Sequence, residues 1–515
     1  MIRPALDQMA SEYDVVVVGA GATGCATARE LAIRGFSVLL LDRNDIGSGT
    51  SSRSSRLLYC GLGYMKPDYP LWKIPFHPVD MLGRLYRAWL TMRCRTELVR
   101  EMPEHLTRRT FYFPYAGHGG RQYPDSIIDV GYRLLSSFGS KDAPLGYQRL
   151  ETKEARKQSG LVRGLGSNLN AVGSFYEYQY SWPERICVDT ALEAESLGVT
   201  IRNYAEVTSL KYSSSQWHVT IAERAPECHG EKEVRARMVV NASGPWVDNV
   251  LKSAAPSNAR RQVLGVKGVN VMVRLPDEFR GQGLESFSSR GEPFYVFPWG
   301  DMHFIGPTED RVDTAPENER VLSDEVEYLL GEANTLFPDL NISKEDIVHA
   351  WCGVRPSSTR DGKTLSGVIQ LNESSDMPNF VSVTGVMIML HRHAARMTVK
   401  FVEKKLGKVR ERKDEKIKKA TIKKPDFASF DDEKIGSLAR EEHVVTLTDL
   451  LRRRLPYGWG SDLGVNRLEE ISKIAAKAIG WTEARRKHEC EEYLKEVSSH
   501  FLTIRKTCSS HSHTS

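Results

Sequence analysis

The apolar residues near the start of the chain predict a strand, a helix and a second strand in close succession. Tyr13–Val18 is a short apolar run rich in β-branched residues, and closely spaced glycines follow it. A helical pattern then covers Thr23–Arg34, Gly35 ends it, and Ser37–Leu41 is a second apolar run. Such a βαβ unit predicts a parallel sheet covered by helices.

The middle of the chain is less regular and predicts a second domain inserted into the first. Residues 95–181 are irregular and rich in aromatic side chains, and this character returns at 294–306. Short alternating segments predict strands of a mainly antiparallel sheet, or returns to the first sheet. These segments are Thr200–Ile201, Val239–Asn241, Val269–Val273, Tyr295–Pro298 and His303–Ile305.

The last part of the chain has the periodicity of helices. Leu447–Arg454, Arg467–Ile479 and Thr482–Ser499 carry apolar residues three and four positions apart, which predicts a small helical domain. Before it, the stretch from Lys400 to Lys424 holds twelve Lys or Arg against four Asp or Glu. Charge runs of this kind usually face water, and we interpret this one as a linker.

Length and composition limit the class of protein. A chain of 515 residues exceeds what one hydrophobic core supports, so two or three domains are expected. With 40% hydrophobic and 27% charged residues it is typical of a soluble globular protein, and no apolar run approaches the roughly 20 residues of a spanning helix. The net charge of +5 is small for this length, and we expect no nucleic-acid partner.

The cysteines and the N-terminus indicate a location inside the cell. The eight cysteines are scattered without CxxC or metal-type spacing, so we predict reduced thiols and no metal site. Met1–Glu12 lacks the apolar core and the small-residue cleavage site of a secretory signal. We therefore expect a cytoplasmic protein.

The glycines after the first strand predict a dinucleotide site. Gly19, Gly21 and Gly24 form GxGxxG, in which the glycines allow a tight turn, close approach to pyrophosphate and close packing of helix on strand. The helix then offers free N–H groups to phosphates. Asp42 ends the second strand, where a carboxylate can accept the ribose hydroxyls and disfavours NADP.

Two later segments favour FAD over NAD. Thr50, Ser51 and Ser52 begin a polar loop ending at Arg56, which suits a cofactor with a second extended half. The strand Val239–Asn241 runs into a small-residue turn containing Ala242 and Gly244, where backbone can approach a ligand closely.

The order of motifs resembles one family, the FAD-dependent glycerol-3-phosphate dehydrogenases of the glutathione-reductase-like flavoprotein superfamily. The resemblance runs from about Tyr13 to Phe501. It is carried by TSSRSSRLLYCGLGY (Thr50–Tyr64), ASGPWVD (Ala242–Asp248), VLGVKG (Val263–Gly268), YVFPWGDMHFIGPTED (Tyr295–Asp310), CGVRP (Cys352–Pro356), STRDG (Ser358–Gly362) and EEHVVTLTDLLRRR (Glu441–Arg454).

The resemblance implies a fold and a division into domains. We expect an α/β protein with a Rossmann-type FAD-binding domain, interleaved with a mainly antiparallel β-sheet substrate domain and followed by a C-terminal α-helical domain. The expected ranges are 12–95, 182–260 and 345–400 for the first domain, 96–181 and 261–344 for the second, 401–424 for the linker, 425–505 for the helical domain and 506–515 for a flexible tail.

The resemblance also implies a reaction and its residues. Flavin N5 takes a hydride from a carbinol carbon, a base takes the hydroxyl proton, and cations hold the anionic end of glycerol 3-phosphate or a related polyol phosphate. Arg355, Arg360 and Lys267 match the cationic substrate positions, and Tyr64 matches the active-site tyrosine. Val207 and Gly385 complete the expected FAD contacts.

The sequence departs from the family pattern at the substrate side. An arginine beside the tyrosine has become Gly63, a histidine after the lysine-glycine pair is Asn270, and Met387 stands where a lysine is usual. Losing two cations removes roughly 3–6 kcal/mol of phosphate binding. The substrate is then a different polyol phosphate or a less anionic alcohol, or activity is reduced while FAD binding persists. His391 or His393 replaces the lost base in one interpretation and is structural in the other.

Reoxidation of the flavin raises the question of a membrane. Relatives pass electrons to quinone while attached to one face of the membrane, and the Lys400–Lys424 run offers contact with anionic lipid on the inner face, if it is not a solvated linker. Association into a homodimer is a further expectation. The alternatives to a dehydrogenase are an oxidase of the same fold that uses oxygen, and a non-catalytic FAD-binding relative.

Overall fold

The structure is a computed structural model. It describes residues 3–65, 67, 69–115, 124–254, 260–360, 363–365, 368–408 and 430–504. Residues 409–424 of the Lys400–Lys424 run and the tail from residue 505 lie outside the described residues.

Nineteen strands, β1 to β19 in chain order, are formed within the described residues. They are Glu12–Val18, Val38–Leu41, Leu57–Leu58, Leu106–Tyr115, Gln148–Leu150, Ala171–Tyr180, Thr200–Arg202, Ala205–Ser213, Gln216–Glu223, Glu231–Asn241, Val263–Val273, Gln282–Phe287, Pro293–Trp299, Met302–Gly306, Asp310–Val312, Ile347–Arg360, Lys363–Leu365, Gln370–Ser374 and Met377–Thr384.

Thirteen α-helices, α1 to α13, accompany them in the same part of the chain. They are Ala22–Ile33, Pro78–Glu101, Asp125–Phe138, Thr152–Gln158, Gly160–Gly164, Pro183–Ser196, Val247–Ala254, Ser323–Leu336, His391–Leu406, Asp432–Glu441, Leu447–Asp449, Leu468–Ile479 and Glu483–Val497.

The described residues form two compact units. One contains the described parts of residues 1–54, 182–265 and 354–497, and the other contains those of 55–181, 266–353 and 498–515. Residues 55–95, which the sequence pattern assigned to the first domain, are grouped with the second unit. The domain ranges drawn from the sequence therefore stay a prediction beside this division.

The first unit is built on a sheet with the strand order β18-β19-β10-β1-β2-β7. β1 pairs in parallel with both β2 and β10, and β2 pairs in parallel with β7. The βαβ unit predicted from the sequence is confirmed, because β1, α1 and β2 follow each other as expected. Val15, Val16, Leu39 and Leu40 are completely buried, as expected for strands covered on both faces.

Small residues let α1 lie close to its neighbours. Gly24, Cys25, Ala26 and Ala28 are buried along the helix, which packs against α6 and α9 as well as the sheet. A helix covered on several sides needs no strong separation of polar and apolar faces. The predicted segments Thr200–Ile201 and Val239–Asn241 belong to this sheet, in β7 and β10.

The second unit contains the larger part of an eleven-stranded sheet, with order β16-β11-β14-β13-β12-β4-β6-β3 along its path. Most of its printed pairs are antiparallel, including β4 with β6 and β13 with β14, whereas β12 pairs with β4 in parallel. Aromatic side chains fill its core, including Phe111, Phe113 and Phe297. The mainly antiparallel second sheet predicted from the sequence is confirmed.

The C-terminal region of the first unit is helical, as predicted. Helices α11 to α13 lie at the three segments predicted as helical. An additional helix, α10, precedes them at Asp432–Glu441. The segment expected as one helix at Leu447–Arg454 begins as α11 and continues as a π-helical turn from Leu450 to Arg454. None of the described helices is both long and apolar enough to cross a membrane.

A buried cluster of charges joins the π-helical turn to the loop after β2. Asp45 is completely buried and accepts hydrogen bonds from Arg453 Nε at 2.5 Å and from Arg454 Nη2 at 2.9 Å. Burial disfavours the charged carboxylate, but the guanidinium groups of Arg454 and Arg453 outweigh it and lower the pKa of Asp45 to about 2. Asp45 is therefore ionised throughout the neutral range.

Removing one partner of this cluster should destabilise the fold strongly. Arg454→Met leaves Asp45 with a partly uncompensated buried charge, and we expect a loss of about 3–5 kcal/mol in the free energy of unfolding. The matched control is Lys473→Met, which removes an exposed pair with Glu469 and should cost less than about 1 kcal/mol. Equal urea midpoints for the two variants would contradict this prediction.

Candidate active site

The turn between β1 and α1 is the most tightly packed point of the predicted cofactor site. A Cβ on Gly24 would lie 1.7 Å from the carbonyl oxygen of Gly19. Gly19 has φ +102°, and a Cβ there would lie 2.7 Å from the carbonyl oxygen of Ala242. Two glycines are thus required by backbone approaching backbone, as the fingerprint predicts.

Gly21 serves a different purpose from these two. It precedes α1 with an extended backbone, at φ −74° and ψ −177°, which other residues also adopt. The N-cap residue of α1, Gly21, has no side chain to cap the helix, and the first turn carries no acidic residue. The N-terminus of α1 therefore keeps its positive dipole end and can receive a phosphate.

The Asp42 carboxylate stabilises this turn through two hydrogen bonds from backbone N–H groups. Its Oδ2 accepts the N–H of Ala20 at 2.7 Å and its Oδ1 accepts the N–H of Asn44 at 2.9 Å. Burial raises the pKa of Asp42 to about 6, although these two backbone hydrogen bonds favour the carboxylate. Each oxygen retains a further lone pair, so a bound ribose hydroxyl can still be accepted.

The Thr50–Ser52 segment packs against both sides of the same site. Ser51 Oγ accepts the N–H of Ala22 at 3.1 Å, at the start of α1. Thr50 Oγ1 donates to the carbonyl oxygen of Val354 at 2.6 Å, and Ser52 Oγ donates within its own turn to Gly49 at 2.9 Å. Thr50 and Ser51 are half-buried, and the sequence alone did not reveal these contacts.

The small-residue turn after β10 closes the other side. Ala242 donates its N–H to Val18 at 2.9 Å, which places it directly beside the end of β1. Gly244 has φ +59° with open space where a Cβ would lie. The Arg43 guanidinium stacks over the ring of Trp246 at 4.6 Å, a pairing that no motif in the sequence indicates.

Val207 and Gly385 contribute to the same unit in different ways. Val207 is half-buried in β8, opposite Ile221 of β9, and packs on the core. Gly385 has φ +72°, and a Cβ would lie 2.0 Å from the carbonyl oxygen of Val368. Gly385 is therefore required by local packing, whatever contact it makes with a cofactor.

The predicted substrate residues have different environments. Arg355 lies on β16 and is exposed, so its guanidinium is available to an anion beside the contacts it makes within the chain. Arg360 ends the same strand, and its side chain lies outside the described residues.

Lys267, in contrast to the exposed Arg355, is buried. It is 2% exposed, and its ammonium lies 2.8 Å from Glu325 and 3.5 Å from Glu319. Since two carboxylates surround this charge, the ion pair explains the lysine without any substrate. Its assignment to the substrate site remains a prediction that these contacts do not support.

Tyr64 lies on a single 3-10 turn, Leu62–Met65, in the second unit. Its ring makes an edge contact with the ring of Tyr59 at 5.5 Å. The hydroxyl of Tyr59 also accepts the N–H of Gly63 at 2.5 Å, and a Cβ on Gly63 would lie 3.1 Å from that oxygen. Tyr59 thus supports the turn that carries Tyr64, a role that the sequence did not reveal.

His391 and the two other positions that depart from the family have the following surroundings. His391 is buried at the start of α9, with Nδ1 2.6 Å from the carbonyl oxygen of Ile388, which favours a structural role. Asn270 is 2% exposed on β11, beside Gly306. Met387 is half-buried in the turn before α9.

The residues of the first unit fit a dinucleotide cofactor. Gly19 and Gly24 let the backbone segments meet, and Gly21 leaves a space that a side chain would fill. The N-terminus of α1 can receive phosphate, and Asp42 can receive ribose. Ligands of open parallel sheets bind at the carboxyl ends of the strands, which is where these residues lie.

Comparison with known proteins identifies the class. Residues 14–400 match the family model described as FAD dependent oxidoreductase. Because the match covers more than half of the chain, the protein belongs to this family, and its cofactor is FAD.

Within this family, the chain is similar to glycerol-3-phosphate dehydrogenases. A glycerol-3-phosphate dehydrogenase of Synechocystis sp. is 27% identical over 77% of this chain and 70% of its own. An aerobic glycerol-3-phosphate dehydrogenase of Staphylococcus haemolyticus is 27% identical over 90% of this chain and 80% of its own. The resemblance that the motifs indicated is confirmed.

A solved structure gives the same fold. The glycerol-3-phosphate dehydrogenase of Bacillus halodurans, complexed with FAD, has a TM-score of 0.69 and 21% identity and covers 95% of both chains. An L-alpha-glycerophosphate oxidase of Mycoplasma pneumoniae has a TM-score of 0.57 and 16% identity over 76% of this chain and 95% of its own.

Gly21→Ala should weaken FAD binding without disturbing the fold. Its Cβ would lie no closer than 3.3 Å to Ser51 Oγ, but the methyl group enters the space for the phosphates. We expect the Kd of FAD to rise about tenfold or more, measured by titration of the apoprotein. In the control Gly331→Ala, the methyl group enters open space on α8, and the Kd should not change. An unchanged Kd for Gly21→Ala would remove Gly21 from the cofactor site.

Proposed function

We propose that this FAD-dependent oxidoreductase oxidises glycerol 3-phosphate or a related polyol phosphate. The observation that carries the proposal is the similarity to the Staphylococcus haemolyticus glycerol-3-phosphate dehydrogenase over 90% of this chain. The retained positions Tyr64, Arg355 and Arg360 support it.

Within this proposal, the chain's residues bind and orient while the flavin performs the redox chemistry. When bound, FAD would supply the hydride acceptor for the carbinol carbon, and the hydroxyl proton would pass to a base. Gly19, Gly21, Gly24 and Asp42 would hold its phosphates and ribose. Arg355 would bind the anionic end of the substrate through its planar guanidinium, together with Arg360.

The departures at Gly63 and Met387 bear on which polyol phosphate is preferred. Both positions lack the cation usual in the family, so phosphate binding depends more on Arg355 and Arg360. A substrate with additional hydroxyl groups can recover binding through hydrogen bonds of about 0.5–1.5 kcal/mol each. This favours testing longer polyol phosphates beside glycerol 3-phosphate.

Arg355→Ala should reduce oxidation strongly while leaving FAD bound. Loss of one charge-assisted contact of roughly 1.5–3 kcal/mol predicts a fall in kcat/KM of roughly 10- to 100-fold. Anaerobic bleaching of the flavin by glycerol 3-phosphate and longer polyol phosphates measures it, with a peroxide assay in air to detect an oxidase. Arg235→Ala, which removes an arginine of β10 paired with Glu12, is the control and should behave as the wild type. If no polyol phosphate bleaches the wild-type flavin, the proposed function is wrong.

We further propose quinone as the electron acceptor, with peripheral contact between the protein and a membrane. The support is an exposed apolar surface on α2 and the segment before it. Its side chains are between 36% and 82% exposed: Trp72, Phe76, Val79, Leu82, Tyr86 and Trp89. Exposed patches of this kind mark binding surfaces.

The composition of this surface favours an anionic lipid bilayer as its partner. Val79, Leu82, Tyr86 and Trp89 are three and four positions apart, so they share one face of α2. The Lys73 ammonium and the Arg93 guanidinium each lie 5.1 Å from a tryptophan ring of the surface, where they can meet lipid phosphates. Aromatic rings beside cations are typical of interfacial helices.

Replacing apolar side chains of this surface should abolish membrane binding. We expect the wild type to sediment with vesicles containing phosphatidylglycerol, less so at high salt, and the triple variant Trp72→Ser, Phe76→Ser, Leu82→Ser to bind at least about tenfold more weakly. The control replaces the exposed Tyr212 and Leu494 by serine and should bind as the wild type. If the wild-type protein does not sediment with anionic vesicles, the proposed membrane contact is wrong. A dimer lost only in the triple variant would assign the surface to a second copy.

A further inference from the structure

Two buried glutamates of the second unit lie behind the turn that carries Tyr64. Glu177 on β6 is completely buried, and Glu285 on β12 is 2% exposed. A carboxylate oxygen of each and the Cys60 sulfur lie within 4.8 Å of one another. Isolated carboxylates are rarely buried so deeply, because removal from water strongly disfavours the charge.

The charges around the pair balance only if one proton is retained. Arg95 is completely buried, with Nε 3.7 Å from Glu177, and its guanidinium also donates to the carbonyl oxygens of Ala143 and Tyr176 at 2.7 and 2.6 Å. One cation facing two carboxylates leaves a net negative charge at a site that is buried from solvent. Two carboxylates at such short range cannot both ionise readily, so one of them keeps a proton.

Among the residues that the structure describes, the other groups facing the pair supply no second charge. They are Tyr59 and Cys60 before the Leu62–Met65 turn, Tyr132 on α3 and Tyr295 on β13. Burial raises the pKa of each of these phenols and of the thiol well above its usual value, so all four stay neutral. Burial likewise raises the pKa of Glu177, an effect that the Arg95 guanidinium opposes. Burial together with the charge of Glu177 raises the pKa of Glu285 to about 8, so Glu285 holds the retained proton longest.

Contacts connect the pair to Tyr64. The Cys60 N–H donates to Glu177 Oε1 at 2.8 Å, which fixes the chain just before the turn. Glu285 lies opposite Tyr295 in the β12–β13 pair, and it interacts with the hydroxyl of Tyr59. Tyr59 in turn accepts the Gly63 N–H and contacts the Tyr64 ring.

We propose that Glu177 and Glu285 share one proton in the folded protein, and that this pair acts through Tyr59 as a positioning device for Tyr64. The shared proton makes the pair and Arg95 together neutral, which lets the charges remain buried. The effect on catalysis rests on the proposed function, whereas the shared proton and the order of the turn do not.

The first test measures proton binding through stability. The unfolded chain loses this proton near pH 4.5, whereas the folded protein keeps it until about pH 8, so the stabilisation is lost progressively as the pH rises between these two values. The unfolding constant of the wild type should rise up to tenfold per pH unit from this site. Glu285→Gln cannot hold an ionisable proton and should lack that part of the slope in urea titrations between pH 5.5 and 8.5.

The matched control is Glu278→Gln, which changes a half-exposed glutamate just before β12 paired with Arg163. It should keep the wild-type slope. If Glu285→Gln also keeps it, the shared proton is excluded. The alternative interpretation is that Cys60, Glu177 and Glu285 bind a metal ion. Metal analysis of the purified protein tests it. A stoichiometric divalent ion that is lost in Glu285→Gln would show that the cluster is a metal site and would overturn the proposal.

The second test measures the order of the turn. In Glu285→Leu the acceptor for Tyr59 is removed, and we expect amide exchange at Gly63 to accelerate at least about tenfold, whereas Glu285→Gln should restore protection at pH 7. Equal exchange in the wild type and Glu285→Leu would exclude the positioning role. This readout does not depend on any substrate, so it separates failure of this proposal from failure of the proposed function.

With a substrate in hand, flavin reduction adds a third readout. Glu285→Leu should lower the rate of reduction at least about tenfold while FAD content stays constant, and Glu285→Gln should recover it at pH 7. The wild-type rate should fall as the pair ionises above about pH 8, and the rate of Glu285→Gln should not show this fall. A parallel pH profile in the two proteins would contradict the positioning of Tyr64 by the shared proton.

Discussion

The cofactor site depends on one steric constraint, the meeting of three backbone segments at the end of β1. Gly19 leaves no room for a side chain beside Ala242, and Gly24 leaves none beside Gly19. Since the backbones meet here directly, α1 begins immediately above the strand, with its N-terminus open for phosphate. The hydrogen bonds of Asp42 and Ser51 then hold this turn from two sides.

The two units bury charge in three different ways. Asp45 is ionised and paired with two arginines, so it joins the helical region to the first sheet. Lys267 is enclosed by Glu325 and Glu319, which stabilises the second unit locally. Within the described part of the chain, Glu177 and Glu285 face one cation, Arg95, and in our proposal a retained proton neutralises the second carboxylate.

The departures from the family pattern change the second unit more than the first. The glycines, Asp42 and the Thr50–Ser52 loop all have local reasons for their identity in the FAD-binding region. At the substrate side, Gly63 has lost the family's arginine, and Tyr59 supports its backbone instead. In the proposed function, the altered residues therefore bear on substrate preference, whereas the cofactor is FAD as in the family.

The sequence by itself determined the features that depend on neighbours along the chain. Alternation and glycine spacing predicted β1, α1 and β2, because a βαβ unit is formed from contiguous residues. The same holds for the helical C-terminal region, where apolar positions recur every three or four residues. The order of motifs also identified the flavoprotein family, because motif order is a property of the chain itself.

Only the tertiary structure decided which polar residues have partners distant in the chain. Lys267 and Arg355 read alike as substrate cations, yet one is enclosed by carboxylates and the other is exposed. Glu177 and Glu285 are more than a hundred residues apart, and no local pattern predicts that they meet. The pKa of a buried group depends on such distant partners, so the chemistry of these sites follows from packing.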